Sequence, residues 1–254
     1  MARMSSQTVL ISGASAGIGA ATARLLATGG HQLILLARRP DKLDALAHEL
    51  SSLTTVHTIS ADVRDSAAVR AALTKLPAFD TLTVLINNAG LALGLDKAQD
   101  ASTDDWDVMI DTNIRALTHL TRLVLPGFVA RKRGHIVNLG SVAGSYPYPG
   151  GNVYGATKAF VERFSLNLRA DLHGTGVRVT NIEPGMVETD FSAVRFRGDD
   201  ARAAEVYRGA HPLTADDIAE SIRWCIELPE RVNINRLELM PTTQSFGPFP
   251  ISRT

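Results

Sequence analysis

The chain has a single cysteine, Cys225, so no internal disulfide can form. Lysine plus arginine and aspartate plus glutamate balance at 26 each, with no long run of one sign. That balance argues against attraction to nucleic acid or to a membrane surface. No apolar run approaches the roughly 18 residues that a bilayer-spanning helix needs, and Met1 to Gln7 lacks the apolar core of a signal peptide. With the lone thiol, this makes a reducing cytoplasm the expected location. The seven histidines show no H-E-x-x-H spacing and there is no cysteine cluster, so no catalytic metal is expected. Repeats and low-complexity tracts are also missing. What these absences leave is a globular chain with small-molecule partners. Its 254 residues suit one α/β domain over 1–254, with a flexible N-terminus about 1–6, a lid about 186–212 and a C-terminal tail about 241–254.

Short apolar runs alternate with helical patterns along the chain. Thr8 to Ser12 reads as a strand leading into Gly13-Ala-Ser-Ala-Gly17-Ile-Gly19 and then an alanine-rich helix to about Thr28. Strand, glycine loop and helix in that order form a phosphate-binding turn. Glycines permit close backbone approach, and the free N–H groups and positive helix end stabilise the anion. The spacing is G-x-x-x-G-x-G, and taken alone it fits a chance glycine loop as well as a nucleotide site.

The second strand, Gln32 to Ala37, ends in Arg38-Arg39 where an NAD site usually carries an acid. Guanidinium groups bind phosphate through paired N–H donors, so Arg38, with Ser15 and Arg39, predicts selection of NADP; the alternative is a solvated basic turn. A third strand near Val56 to Ile59 precedes Asp62, expected either to accept from an adenine amino group or to cap a turn. Thr83 to Ile86 is a fourth strand, followed by Asn87-Asn88-Ala89-Gly90. The alternation implies right-handed crossovers and a parallel sheet with ligands beyond the C-terminal strand ends.

Within a helical region from about Thr103 to Arg131, Asn113 is a polar residue among apolar ones. It reads either as a helix-bending residue that holds a water or as a satisfied buried amide. The fifth strand, His135 to Leu139, ends at Gly140-Ser141. A helix should then start near Asn152, placing Tyr154 and Lys158 on one face at hydrogen-bonding or near-ionic range. A nearby ammonium pulls a phenol pKa down from about 10 and prepares a base. Alone, Tyr-x-x-x-Lys is also an ordinary exposed helix face. Val177 to Ile182 is a sixth strand with a sharp exit at Pro184-Gly185; Asp216-Asp217 open a further helix, and Arg236 to Met240 is a last strand.

Together these elements resemble the short-chain dehydrogenase/reductase family through Gly13, Gly17, Gly19, Asp62, Asn87-Asn88-Ala89-Gly90, Asn113, Ser141, Tyr154 and Lys158. Ser12 stands where the family commonly has threonine. The resemblance implies a doubly wound parallel sheet of about seven strands, a single-domain Rossmann fold with helices on both faces. It also implies Asn113, Ser141, Tyr154 and Lys158 as catalytic residues. The residues expected to line NADP are Gly13, Ser15, Gly17, Ile18 and Gly19 on the first turn, then Arg38, Arg39, Asp62 and Val63. Asn88, Ala89, Gly90, Tyr154, Lys158, Pro184, Gly185, Val187 and Thr189 complete them.

The segments NNAGLALG, GNVYGATKAFVERFSLNLRADLHGTGVRVTNIEPG, VRFRGDD and VNINRLELMPTTQS are similar to the bacterial NADP-dependent 3-hydroxy acid dehydrogenases of that family, also called serine 3-dehydrogenases. This implies oxidation of the 3-hydroxyl of L-serine, L-allo-threonine or related acids, in a homotetramer. Substrate is expected at Ser141, Tyr148, Asn152 and Arg195, with Arg195 the carboxylate partner and Arg115 and Arg163 its rivals. Reduction of 3-oxoacyl thioesters or bulkier carbonyls is an alternative, with Arg131, Lys132, Arg133 and Arg169 as the basic residues to map. A non-catalytic NADPH sensor is a second.

Overall fold

The computed structural model describes residues 6–247. Most of the N-terminal stretch and the end of the C-terminal tail named above therefore lie outside the described residues. Seven strands form one all-parallel sheet: β1 (Thr8–Ser12), β2 (Gln32–Ala37), β3 (Val56–Ser60), β4 (Leu82–Asn87), β5 (Gly134–Leu139), β6 (Val177–Pro184) and β9 (Arg236–Leu239). Their spatial order is β3-β2-β1-β4-β5-β6-β9. The chain starts in the middle, winds one way through β2 and β3, and returns to wind the other way from β4. The crevice beside β1 and β4 is thus the switch point where open α/β sheets bind ligands.

Strands β1, β5 and β6 are buried at every position, as expected of strands covered on both faces. One face packs against α1 (Gly17–Thr28), α2 (Pro40–Leu50) and α9 (Ala215–Glu227), with Leu26, Leu43 and Ile222 fully buried. The other packs against α3 (Ser66–Leu73), α5 (Leu117–Ala130) and α6 (Asn152–Asp171) around Phe128, Leu73 and Leu85. Each such fully buried side chain contributes about 1.5–3 kcal/mol. Among the described residues no helix is long and apolar enough to cross a membrane.

The helical region around Asn113 is not one continuous α-helix. α4 (Thr103–Ile110) runs through a π segment, Asp111–Ala116, into α5. A π turn marks the inserted residue that sequence reasoning sought as a bend. Residues 186–212, expected as a lid, hold β7 (Val187–Glu188), α7 (Phe191–Arg195) and α8 (Asp200–Tyr207). β7 pairs with β8 (Leu213–Thr214) in a small second sheet, and a Thr214–Asp217 capping box starts α9.

Candidate active site

The turn after β1 is built for close backbone contact. Gly13 has φ +67°, a left-handed conformation, and a Cβ on Gly19 would lie 2.4 Å from the Gly13 carbonyl oxygen. Ser12 keeps a structural hydroxyl, as threonine would: its Oγ accepts from the backbone N–H groups of Asn88 and Ala89, both at 3.1 Å. Asn88 Nδ2 donates to the carbonyls of Ser12 and Gly13 at 3.0 and 3.1 Å, fixing the loop after β4 to the glycine turn.

The first turn of α1 carries no acidic side chain, and its N-cap, Ala16, offers no acceptor. By contrast Asp65, Ser102 and Thr214 cap α3, α4 and α9 with side-chain oxygens. The free N–H groups of α1 thus remain for an anion. Thr189 roofs this turn, its Cβ and Cγ2 standing 3.4 Å from where a Gly17 Cβ would be.

Beyond β2, Arg39 donates to Ser15 Oγ through Nε (3.3 Å) and Nη2 (3.0 Å), while Arg38 is exposed. Asp62 behaves as a turn cap. Its Oδ1 accepts from the Arg64 N–H at 2.9 Å and its Oδ2 from Arg64 Nη2 at 2.7 Å, and that bonding holds its carboxyl below the usual range. Val63 packs on the core beside it, as Ile18 and Val187 do on the opposite face. The Ser15 hydroxyl, the Arg39 guanidinium and the uncapped helix end together fit a phosphorylated dinucleotide.

The chemical centre gathers at the ends of β4, β5 and β6. Ser141 Oγ donates to the Pro184 carbonyl at 3.4 Å and accepts from Ala143 N–H at 3.1 Å, starting a 3₁₀ turn, Val142–Gly144. That turn lies directly on α6: a Cβ on Gly144 would stand 2.8 Å from the Lys158 carbonyl carbon and the Ala159 nitrogen. Asn113 makes three bonds away from its own helix. Its Oδ1 accepts from Leu91 N–H (2.9 Å), and its Nδ2 donates to the Leu91 carbonyl (2.9 Å) and Thr157 Oγ1 (3.0 Å). The asparagine is a satisfied buried amide that ties the loop after β4 to α6, and the π turn supplies the irregularity.

Tyr154 and Lys158 share a face of α6, and the hydrogen bond of the ammonium goes to the backbone. Lys158 Nζ donates to the Leu139 carbonyl at 2.7 Å and stands 5.9 Å from the centroid of the Tyr154 ring. A buried ammonium needs an acceptor, and the strand-end carbonyl supplies one. Burial consequently dominates both titrations. It pushes the Tyr154 phenol up to about 12, opposed by the neighbouring Ser141 hydroxyl and by the Arg195 charge, and it brings Lys158 down to about 8.

Arg195 closes the other side. Its Nη2 donates to the Tyr148 hydroxyl at 3.0 Å, and its guanidinium carbon lies 5.6 Å from the Tyr148 ring centroid and 5.7 Å from that of Tyr154. Two further bonds join it to Gly94: Arg195 Nε donates to the Gly94 carbonyl (3.0 Å), and Gly94 N–H donates to the Arg195 carbonyl (3.1 Å). The rivals lie elsewhere, Arg115 paired with Asp111 on the surface and Arg163 exposed. Asn152 Nδ2 donates to the Asp96 carbonyl at 3.1 Å, bracing the start of α6 against the loop after β4.

Sequence reasoning missed Thr157, Phe191 and Gln244. Phe191 packs on Tyr154 with ring centroids 5.7 Å apart, and Gln244 Oε1 accepts from Met186 N–H at 2.8 Å, holding the start of the 186–212 segment. Long-range contacts of this kind leave no local signal.

The sequence profile of the short chain dehydrogenase family matches residues 7–200. An NADP-dependent 3-hydroxy acid dehydrogenase of Salmonella typhi is 54% identical over 248 residues, covering 97% of this chain and 99% of that one. Sulfoacetaldehyde reductase 2 of Chromohalobacter salexigens is 52% identical over 250 residues, covering 98% and 99%. The closed form of a serine dehydrogenase complexed with NADP+ superposes with a TM-score of 0.94 at 50% identity, covering 98% of this chain and 100% of that one. The chain therefore belongs to the short-chain dehydrogenase/reductase family.

Proposed function

We propose that the protein is an NADP-dependent dehydrogenase of small 3-hydroxy acids, L-serine and L-allo-threonine among them, or a reductase of the corresponding carbonyls. The observation that carries this reading is Arg195, a guanidinium held against Tyr148 and beside the Tyr154 ring. It offers a carboxylate paired donors within reach of the proton-transfer group. Bound through the glycine turn, Ser15, Arg38 and Arg39, NADP supplies the hydride acceptor. Tyr154 takes the hydroxyl proton and Ser141 holds the reacting oxygen. Lys158, once its ammonium is turned toward the ribose and phenol, lowers the cost of the phenolate. Asn113 holds the loop after β4 in register with α6.

Two of the four basic residues to map for the thioester alternative do not support it. Arg131 donates to the Leu82 carbonyl and Arg133 pairs with Glu230, both at the N-terminal strand ends, away from Ser141. The sulfoacetaldehyde reductase relative favours a second reading, a small aldehyde bearing a sulfonate, because Arg195 serves either anion. A cytoplasmic homotetramer completes the proposal. Stacked Phe160 and Phe164, with Phe160 39% exposed, give α6 an apolar face suited to a second copy.

The test is NADPH formation measured by absorbance, with NADP against NAD, over L-serine, L-allo-threonine, 3-hydroxybutyrate, 3-hydroxypropionate and neutral secondary alcohols. Turnover of the free acids with NADP supports the reading. Silence on every acid alongside turnover of larger alcohols removes the substrate class.

A further inference from the structure

Behind the proposed catalytic groups lies an ion cluster that takes no part in the reaction just described. Arg236, the first residue of β9, forks onto Glu183 of β6, Nε to Oε1 at 2.8 Å and Nη2 to Oε2 at 2.7 Å. Glu183 is only 1% exposed and also accepts from Asn181 Nδ2 at 2.7 Å. The same guanidinium reaches Glu162 of α6 through Nη1 at 3.1 Å and Ser145 Oγ through Nη2 at 3.0 Å. Ser145 in turn donates to Glu162 Oε2 at 3.4 Å.

Each of these three anchors belongs to a segment that carries one part of the centre. Glu183 precedes Pro184, whose carbonyl receives the Ser141 hydroxyl. Ser145 ends the 3₁₀ turn that Ser141 begins, and Glu162 lies one helical turn beyond Lys158. Backbone pairing ties the start of the turn to β6 as far as the Gly140 N–H, which donates to the Ile182 carbonyl at 2.7 Å, and beyond it the Ser141–Pro184 and Ser145–Glu162 bonds each join two of the segments. The Arg236 guanidinium touches all three. Lysine has the charge but not the fork, so it cannot hold all three anchors at once.

We propose that Arg236 is a positioning residue for the hydride-transfer reaction, its guanidinium setting the placement of Ser141 relative to Tyr154 by bridging β6, the 141–145 turn and α6. This rests on the proposed Ser141–Tyr154–Lys158 chemistry but not on the identity of the substrate. It assigns the last strand, otherwise a sheet edge, a part in catalysis without contact with substrate or cofactor.

The variants are Arg236→Lys, which keeps the charge, Glu162→Gln, which weakens the α6 arm, and Glu183→Gln with Arg236→Gln, which removes the fully buried Glu183 charge together with its partner. They are assayed with whichever alcohol the wild type turns over. Failure on 3-hydroxy acids alone thus counts against the substrate reading and leaves this comparison intact. In variants whose melting temperature stays within about 3 °C of wild type, kcat falls roughly 10- to 100-fold while KM for NADP moves less than about threefold. The pKa governing oxidation shifts as Ser141 moves relative to the Tyr154 phenol. In cofactor-free protein, amide exchange quickens over 141–146 and 152–163 but not in β1 or β2. Wild-type kcat and pH profile in a folded variant overturn the proposal, as does an activity loss that tracks melting temperature with the profile unmoved or exchange quickened throughout.

Discussion

Arg195 Nη2 donates to the Tyr148 hydroxyl across 3.0 Å, so a guanidinium and a phenol from distant parts of the chain form one wall beside Tyr154. The fork retains donors for a ligand, and among the described residues none of its bonds is to a carboxylate.

Removing that cation separates acids from neutral alcohols. Arg195→Met should raise KM for 3-hydroxy acids about 10- to 100-fold, the value of a lost charge-assisted bond, and leave kcat/KM for a neutral secondary alcohol within about threefold. Steady-state kinetics on both substrates decides it. An equal loss on the two would mean that Arg195 only holds the fold of the 186–212 segment.

Tyr154→Phe removes one oxygen and no packing. Turnover should fall by roughly 100- to 10,000-fold, the range for a positioned proton-transfer group, while NADPH affinity measured by fluorescence titration changes only a few-fold. Retained turnover would move the base to another residue.

On the proposed reading, cofactor choice rests on the cations after β2. Arg39→Ala should weaken NADPH roughly tenfold more than NADH, because Arg39 and Ser15 hold one donor cluster. Arg38→Asp should reverse the preference by adding like-charge repulsion. Kd ratios for the two cofactors check both, and an unchanged ratio for either variant would place the 2′-phosphate elsewhere.

Lys158 makes stability depend on pH with a sign that follows from burial. Its folded pKa is brought down to about 8, so above that value the unfolded chain holds more protons than the native one, up to the ordinary lysine range near 10.5. The buried charge is least tolerated at neutral pH, and stability from this group rises between about 8 and 10.5. Tyr154, raised to about 12, acts oppositely, but only above about 10. In cofactor-free protein the melting temperature of wild type relative to Lys158→Met should therefore climb from pH 7.5 to 9.5. A difference that stays flat or falls would show that the ammonium is solvated in solution.

The strands were legible because a parallel sheet covered on both faces demands short apolar runs, and β1 and β2 begin and end where TVLIS and QLILLA do. Ser141, Tyr154 and Lys158 stood out because strand end, glycine approach and helical spacing are local properties. Which acceptor satisfies Lys158 was not local: the Leu139 carbonyl belongs to a strand nineteen residues earlier. Asn113 was recognisable as anomalous, but its partners Leu91 and Thr157 are brought to it by two crossovers. Arg195 could not be ranked above Arg115 and Arg163 from sequence, since the choice depends on α7 lying over Tyr148. The Arg236 cluster left no signal at all, because it joins residues from four segments.

Arg195 and Gly94 hold each other by two bonds, one from the side chain and one through the backbone. On the proposed reading, door and grip on the anion are therefore the same piece. Were this segment to move outward to release product, the guanidinium would leave with it, so affinity would drop as the way out opened. Discharge and inrush of solvent would then coincide, and a tightly held acid product need not stall the cycle.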